Sequence, residues 1–306
     1  MFVSDLNKDE IRSRFPVKSD IKKVWNCWLE IWNEVDKICR KHEINYWAES
    51  VTLLGAARHG GFVPWNDEMI FCMMRPDFNR FCEVAEEELN GTIFEVGQRK
   101  FSYCQVYNAS TTFIPSKNVI ESNDPKGLHI VIFALDVSPD ETNESLFARA
   151  ALEELLNAVY DFQNLVKYVQ GGGFLINEWS VMEKLHNSDD TIGQIIFLSD
   201  CAEKFFDCSP AMEAFSRRIN EKIVPPYRKE WFRETIYLPF ETVELPVPVD
   251  YDKVLTACYD DWRTPTRKEI AVIKGIYSAE IPYREAMASL NAELFFGTAD
   301  DAKEKD

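Results

Sequence analysis

Apolar residues recur at three- and four-residue steps through residues 19–42: Ile21, Val24, Trp25, Trp28, Ile31, Trp32, Val35 and Ile38. That period predicts an amphipathic helix, with Ser19 or Asp20 as its N-cap and a bulky tryptophan stripe for packing on a sheet. Residues 45–48 form a short apolar run, read as a strand. Residues 51–59 read as a helix closed by Gly60 and Gly61. After a turn through Pro64 the pattern predicts a strand over 69–74. A helix over 76–89 follows, with Phe78, Phe81, Cys82, Ala85 and Leu89 on one face. Residues 92–96 and 101–107 read as a hairpin. The near-continuous apolar run at 128–135 predicts a strand buried on both faces. From 143 to about 220 the pattern turns helical, broken at 171–173 and 187–190. A Pro-rich extended stretch (236–252), a helix (251–259) and a small, charged tail (297–306) complete the chain. The glycine triplet at 171–173 lacks a phosphate loop's spacing and strand-then-helix context, so it reads as a loop.

The 306 residues are 46% hydrophobic, enough for one large domain or two intimate ones. A balance of 51 acids against 34 bases gives a net charge of −17, which disfavours nucleic acid and anionic membranes as partners. No run reaches the roughly 18 apolar residues of a spanning helix, and the polar first 15 residues lack a signal-peptide core. The expected location is cytoplasmic. Eight scattered cysteines without CxxC spacing read as buried free thiols, and four separated histidines give no zinc motif.

Three blocks carry a resemblance. The first has Thr52, Leu53, Leu54, Gly55, Ala56, Arg58, His59, Gly61, Phe62, Pro64 and Trp65 in register with a Gly-Thr-Leu-Leu-Gly-Ala…Arg-His…Pro-Trp pattern, followed by Arg75 and Asp77–Phe78. The second is HIVIFALD at 129–136. The third is LPFETVELPVPVDYDKVLTACYDDW at 238–262. Together they resemble the LicD family of phosphocholine and polyol-phosphate transferases. The resemblance implies an α/β (α+β) fold: a nucleotidyltransferase-like mixed sheet flanked by helices, with a helical middle segment. It implies a single domain over 1–300, divided into a core (18–140), a helical segment (141–230) and a C-terminal segment (231–296), before an acidic tail (297–306). It further implies a cytidine-diphosphate-linked donor, a glycan acceptor, and Mg2+ or another divalent cation. The cation would be held by two alternating carboxylates on one strand and a third on its neighbour. Thr52, Arg58, His59 and Arg75 would then face the donor, with Arg58 and Glu68 as the catalytic pair.

The chain departs from this pattern where the chemistry would sit. Val51 replaces a glycine expected to let the backbone approach a phosphate. The acids after Trp65 become Asn66, Asp67 and Glu68. Glu68 occupies the first ligand position, but the second is Ile70 and the third Val131. Asp67 and Asp136 are the substitutes within reach in sequence. Ile70 and Val131 relieve the repulsion that metal-free buried carboxylates would suffer. Two readings follow. The first is a family member that is catalytically impaired, a pseudoenzyme or inactivated variant, which could instead serve a protein partner. The second is an active metal-dependent transferase with rearranged ligands. Thr111 and Thr112 read as strand-end hydroxyls. Glu241 reads as a backbone anchor. His59 at a helix end reads as a dipole cap. Asp260 replaces the family's glycine beside Asp261.

Overall fold

A computed structural model describes residues 3, 5, 7–66, 68–97, 103–114, 125–137, 211–214, 218–219, 222–223, 227–265 and 275–296, excepting the side chains of 136–137, 211–223 and 290–296. Most of the helical reading of 143–220, the glycine triplet, Asp67 and the charged tail lie outside the described residues.

The chain opens with a small hairpin, β1 (Glu10–Arg12) and β2 (Phe15–Val17). The tryptophan-striped helix follows as α1 (Ser19–Lys41), with Trp25, Trp28 and Trp32 buried as the period predicts. Its cap differs from the expectation. Lys18 is the N-cap residue, and the Asp9 carboxylate accepts from Ser19 N at 2.9 Å while pairing with Lys18. A loop acid thus does what Ser19 or Asp20 would have done.

Next come β3 (Trp47–Ala48), α2 (Ser50–His59), β4 (Ile70–Met74) and α3 (Arg75–Leu89). They are followed by β5 (Phe94–Val96), β6 (Tyr103–Asn108), β7 (Thr112–Ile114) and β8 (Leu128–Val137). Then β9 (Ala211–Ala214), β10 (Arg218–Ile219), β11 (Lys222–Ile223) and β12 (Tyr227–Arg228) lead into a 3-10 turn at Lys229–Phe232. Residues 211–214 therefore correct the helical reading of that stretch. They pair antiparallel with the end of β8, and this long-range edge does not show in local periodicity. The Pro-rich stretch is the hairpin β13 (Thr235–Phe240) and β14 (Val243–Pro248), followed by α4 (Tyr251–Tyr259), β15 (Ile276–Ser278) and α5 (Tyr283–Phe296).

Among the described residues, seven strands form one mixed sheet centred on β8, which pairs parallel with β4 and antiparallel with β6 and β9. β3 extends it beyond β4, β5 beyond β6 and β12 beyond β9. One face, with Phe71, Met73, Cys104, Val106, Ile130 and Ile132, is fully buried and covered by α1 and α3. The other face is half-buried at Tyr103, Gln105, His129, Val131 and Phe133. The expectation of β8 buried on both faces is corrected: its apolar run alternates between a sealed face and a partly open one. None of the described cysteines is in a disulfide, and burial pushes the Cys27 thiol up to about 12, which leaves it inert at neutral pH.

Candidate functional site

The inferred ligand positions meet at the N-terminal end of β4. Ile70 is in register with Val131 on the parallel strand β8, and Val131 with Gln105 on β6. On the other side Glu49 continues the register of β3, and its N–H donates to Ile70 O at 3.0 Å. One row across the sheet therefore reads Glu49, Ile70, Val131, Gln105. Ile70 is buried and Val131 half-buried. The two positions where carboxylates were expected are thus direct neighbours, and both are hydrocarbon.

Glu68 precedes this strand by two residues and is exposed. Asn66 turns back to donate its side-chain amide N–H to the Glu68 carbonyl. Asp136 lies five residues along β8 from Val131, a separation of roughly 16 Å at strand rise. The structure does not bring it to Ile70. Asp67 is outside the described residues. Among the described residues no three His, Cys, Asp or Glu side chains group as a metal site. A magnesium ion requires several hard oxygens in near-octahedral array, and a row with two aliphatic members does not fit it.

The turn into α2 is tied to β4 rather than left open. The Thr52 hydroxyl is buried and accepts from Ile70 N at 2.8 Å. The N–H groups of Thr52 and Leu53 donate to Glu49 O. Ser50, not Val51, takes the left-handed conformation (φ 49°), so the valine adds bulk packed on the core without backbone strain.

Glu49 is the residue that sequence reasoning missed. Its carboxylate is buried, with 2% exposure. Oε1 accepts from Ser50 N at 2.8 Å and from the Tyr227 hydroxyl at 3.0 Å, and Oε2 accepts from the Cys72 thiol at 3.6 Å. Tyr227 also contacts Cys258 Sγ at 3.0 Å, which links the first block to α4 of the third. The available signal was an acid directly before a helix start, the N-cap position.

At the far end of α2 the remaining candidates separate. The Arg58 guanidinium, half-buried, donates from Nε to His59 Nε2 at 3.0 Å and from Nη1 to Trp262 O at 2.9 Å. An arginine N–H can only donate, so His59 Nε2 is unprotonated and its proton sits on Nδ1, 3.2 Å from Ser13 Oγ. Burial, with Arg58 and Arg12 nearby, pushes the imidazole from 6.5 down to about 4. At pH 7 the His59 ring at this helix end is therefore neutral. Arg75 is buried just past the other end of β4, with its guanidinium over Phe78 at 5.2 Å. It lies about five strand residues, roughly 16 Å, from the Thr52 contact and does not join that group.

The third block locks the glycine turn after α2. Gly60 is left-handed (φ 60°) and its carbonyl accepts from Glu241 N at 2.8 Å. The Glu241 carboxylate accepts from Phe62 N at 3.0 Å and forms a two-pronged ion pair with Arg12. A Cβ on Gly61 would sit 2.8 Å from Glu241 Cδ, and closer still to its Oε1, so only glycine fits. Thr111 and Thr112 are occupied as strand-end hydroxyls. Thr111 donates to Asn108 O and accepts from Leu128 N, and Thr112 donates to Ile281 O.

Residues 43–153 match the nucleotidyltransferase domain model described as LicD/FKTN/FKRP. Over 60 residues the chain is 37% identical to the lipopolysaccharide cholinephosphotransferase LicD of Haemophilus influenzae, covering 20% of this chain and 23% of that protein. Over 113 residues it is 38% identical to an uncharacterized protein of Rickettsia prowazekii, covering 36% of this chain and 40% of that one. A second uncharacterized protein, from Rickettsia typhi, is 34% identical over 58 residues, 19% of each chain. The matches span less than half the length of these curated relatives. The match takes in α2, β4 and β8, the elements that carry the Thr52 clamp and the Ile70–Val131 pair, so the part of the chain that holds the candidate site is the part similar to the LicD/FKTN/FKRP nucleotidyltransferase domain.

Proposed function

We propose that this chain descends from transferases that move phosphocholine or a phosphopolyol from a cytidine-diphosphate-linked donor to a glycan, and that this copy is catalytically impaired. The Haemophilus relative's name supports the class of reaction. The observation that carries the impairment is the pairing of Ile70 with Val131 in register, beside the Thr52 clamp. Phosphoryl transfer rests on positioning and on neutralising charge at the transferred group. A hydrocarbon pair supplies no oxygen to a bridging cation, and Glu68 alone leaves such a cation weakly held. The scaffold is retained for binding, as a cytoplasmic ligand-holding or partner subunit, with transfer slow or absent.

The test is a transfer assay with CDP-choline, magnesium and a lipopolysaccharide acceptor. Working enzymes turn over at roughly 1 to 1,000 per second, and the impaired reading expects a rate at least about a hundredfold below that range. Turnover near 1 per second, abolished by Glu68→Ala, would refute it in favour of a transferase with rearranged ligands.

A further inference from the structure

The stretch from Gly275 into α5 lies across the core without being built into it. It starts at an exposed glycine with φ 108°, a backbone setting that favours glycine. β15 then pairs with β7, and among the described residues neither strand joins the seven-stranded sheet. Both isoleucines of the stretch face water, Ile276 at 50% and Ile281 at 47% exposure, while Tyr277 and Ala279 pack on the core. The other ties are polar. Lys23 pairs with Glu280 at 2.7 Å, Thr112 donates to Ile281 O at 2.7 Å, and the Cys27 thiol reaches Ala279 O at 3.9 Å. Glu95 on β5 accepts from the Tyr283 hydroxyl at 3.0 Å and pairs with Arg284. A cavity of about 950 Å³ lies between α3, β5 and the start of α5, with Glu86, Asn90, Phe94, Tyr283 and Arg284 on its walls. The Glu95 contacts bridge the edge of this gap.

A segment with little buried apolar surface, solvent-accessible ion pairs and a glycine at its root opens locally, at a cost well below that of global unfolding. We propose that residues 275–286 are a strap, latched by Glu95, that swings about Gly275. Closed, it sets Tyr277 beside Phe113, whose ring meets His129 at 5.6 Å. His129 lies two residues from Val131, on the same half-open face of β8. The strap therefore closes one end of that face, and its release clears the end for a ligand. That a ligand binds on this face rests on the transferase descent proposed above; the latch and the swing do not.

The test is hydrogen exchange of the whole chain read by mass spectrometry, with diethyl pyrocarbonate labelling of His129 as the measure of access. Amides of β15 should exchange through local opening, at least about tenfold faster than those of β8. Glu95→Gln and Arg284→Gln should each speed exchange of β15 and the start of α5 about fivefold, and the double variant should stay close to Glu95→Gln alone. Glu244→Gln, at an exposed position on β14, should leave exchange unchanged. Raising salt from about 0.05 to 1 M should loosen the strap in wild type. His129 labelling should rise wherever strap exchange rises. The Arg284 side chain is 63% exposed, so its variant tests the latch even if Glu95→Gln folds poorly. β15 exchanging no faster than β8, or equal rates in wild type and both variants, would overturn the strap. Faster strap exchange with unchanged His129 labelling would overturn its closure of the open face. Transfer from CDP-choline at full rate would refute impairment and leave the strap standing.

Discussion

If Ile70 and Val131 face each other where carboxylates once held a cation, putting carboxylates back should make them repel. The perturbation is a double-mutant cycle of Ile70→Asp and Val131→Asp. Each single change removes a packed aliphatic side chain, and at Ile70, 7% exposed, that costs about 2–3 kcal/mol. The pair adds a further penalty. Neighbouring strands lie about 4.8 Å apart, so two in-register carboxylates at roughly 5 Å and an effective dielectric near 20 repel by about 3 kcal/mol. Partial protonation will trim this, so the expected coupling is about 2 kcal/mol at pH 7 without divalent cation. Repulsion raises the carboxyl pKa in the folded state above the roughly 3.9 of an unfolded aspartate. The folded state then keeps a proton that the unfolded chain releases, so the penalty grows as pH rises above about 4 and fades below it. Magnesium should recover stability selectively in the double variant, by about 2.7 kcal/mol at a hundred times its dissociation constant. Urea unfolding followed by fluorescence of the chain's eight tryptophans, at pH 7 and pH 4.5 with and without magnesium, measures all three effects. Single-variant losses that add to within about 0.5 kcal/mol, with no magnesium response, would show that the two side chains do not share a site.

Three further outcomes follow from the same geometry. His59 is held neutral with its pKa down at about 4 against 6.5 unfolded, so the unfolded chain takes up a proton first and stability is lost as pH falls from about 6.5 towards 4. Allowing for solvent around a half-buried ring, wild type should lose about 1 kcal/mol more than His59→Gln between pH 7 and pH 5, measured by urea midpoints. Gly61→Ala drives a methyl into the Glu241 carboxylate and should cost about 3 kcal/mol, a fall in Tm of roughly 6–10 °C, with most of the loss absent in a Glu241→Ala background. Asp260, at φ 55° and ψ −106°, sits in backbone space that glycine tolerates, and Asp260→Gly should raise stability by about 1 kcal/mol in thermal melts; an unmoved Tm would show that the strain is absent.

Much of the fold was legible because its elements carry their own periodicity. The α1 stripe, β4, β8 and the helix of α3 were read from local spacing, and each lies within a residue or two of its expected bounds. What local spacing could not show was partnership. The strand at 211–214 exists because β8 offers it an edge. The half-open face of β8 follows from what α1 and α3 leave uncovered, which an unbroken apolar run conceals. The site divides the same way. Ile70 and Val131 were identified in sequence as replacements, while their contact depends on the register of a parallel ladder between strands far apart in the chain. Glu49 was invisible because an acid at a helix start reads as a surface cap until Tyr227, 178 residues away, is seen to cover it.

The residues that carry the family resemblance turn out to hold the backbone together, and this explains how the motif and the missing carboxylates coexist. Thr52 ties α2 to β4 through Ile70 N. Gly55 leaves room for the Gly61 carbonyl, which a Cβ would meet at 2.5 Å. Glu241 of the third block holds the glycine turn of the first, and Arg58 holds the Trp262 carbonyl. Each of these contacts would be needed by the scaffold whether or not a cation ever bound. The carboxylates have no such second role. Without a metal they are a liability within the sheet, and replacing them with isoleucine and valine leaves all of these backbone ties intact. On the proposed reading, loss of the metal ligands removes chemistry without unfolding the domain, whereas loss of Thr52, Gly61 or Glu241 would loosen the backbone ties at the two ends of α2. A sequence match built on the second group reports architecture, and activity has to be read from the two or three positions that architecture does not use.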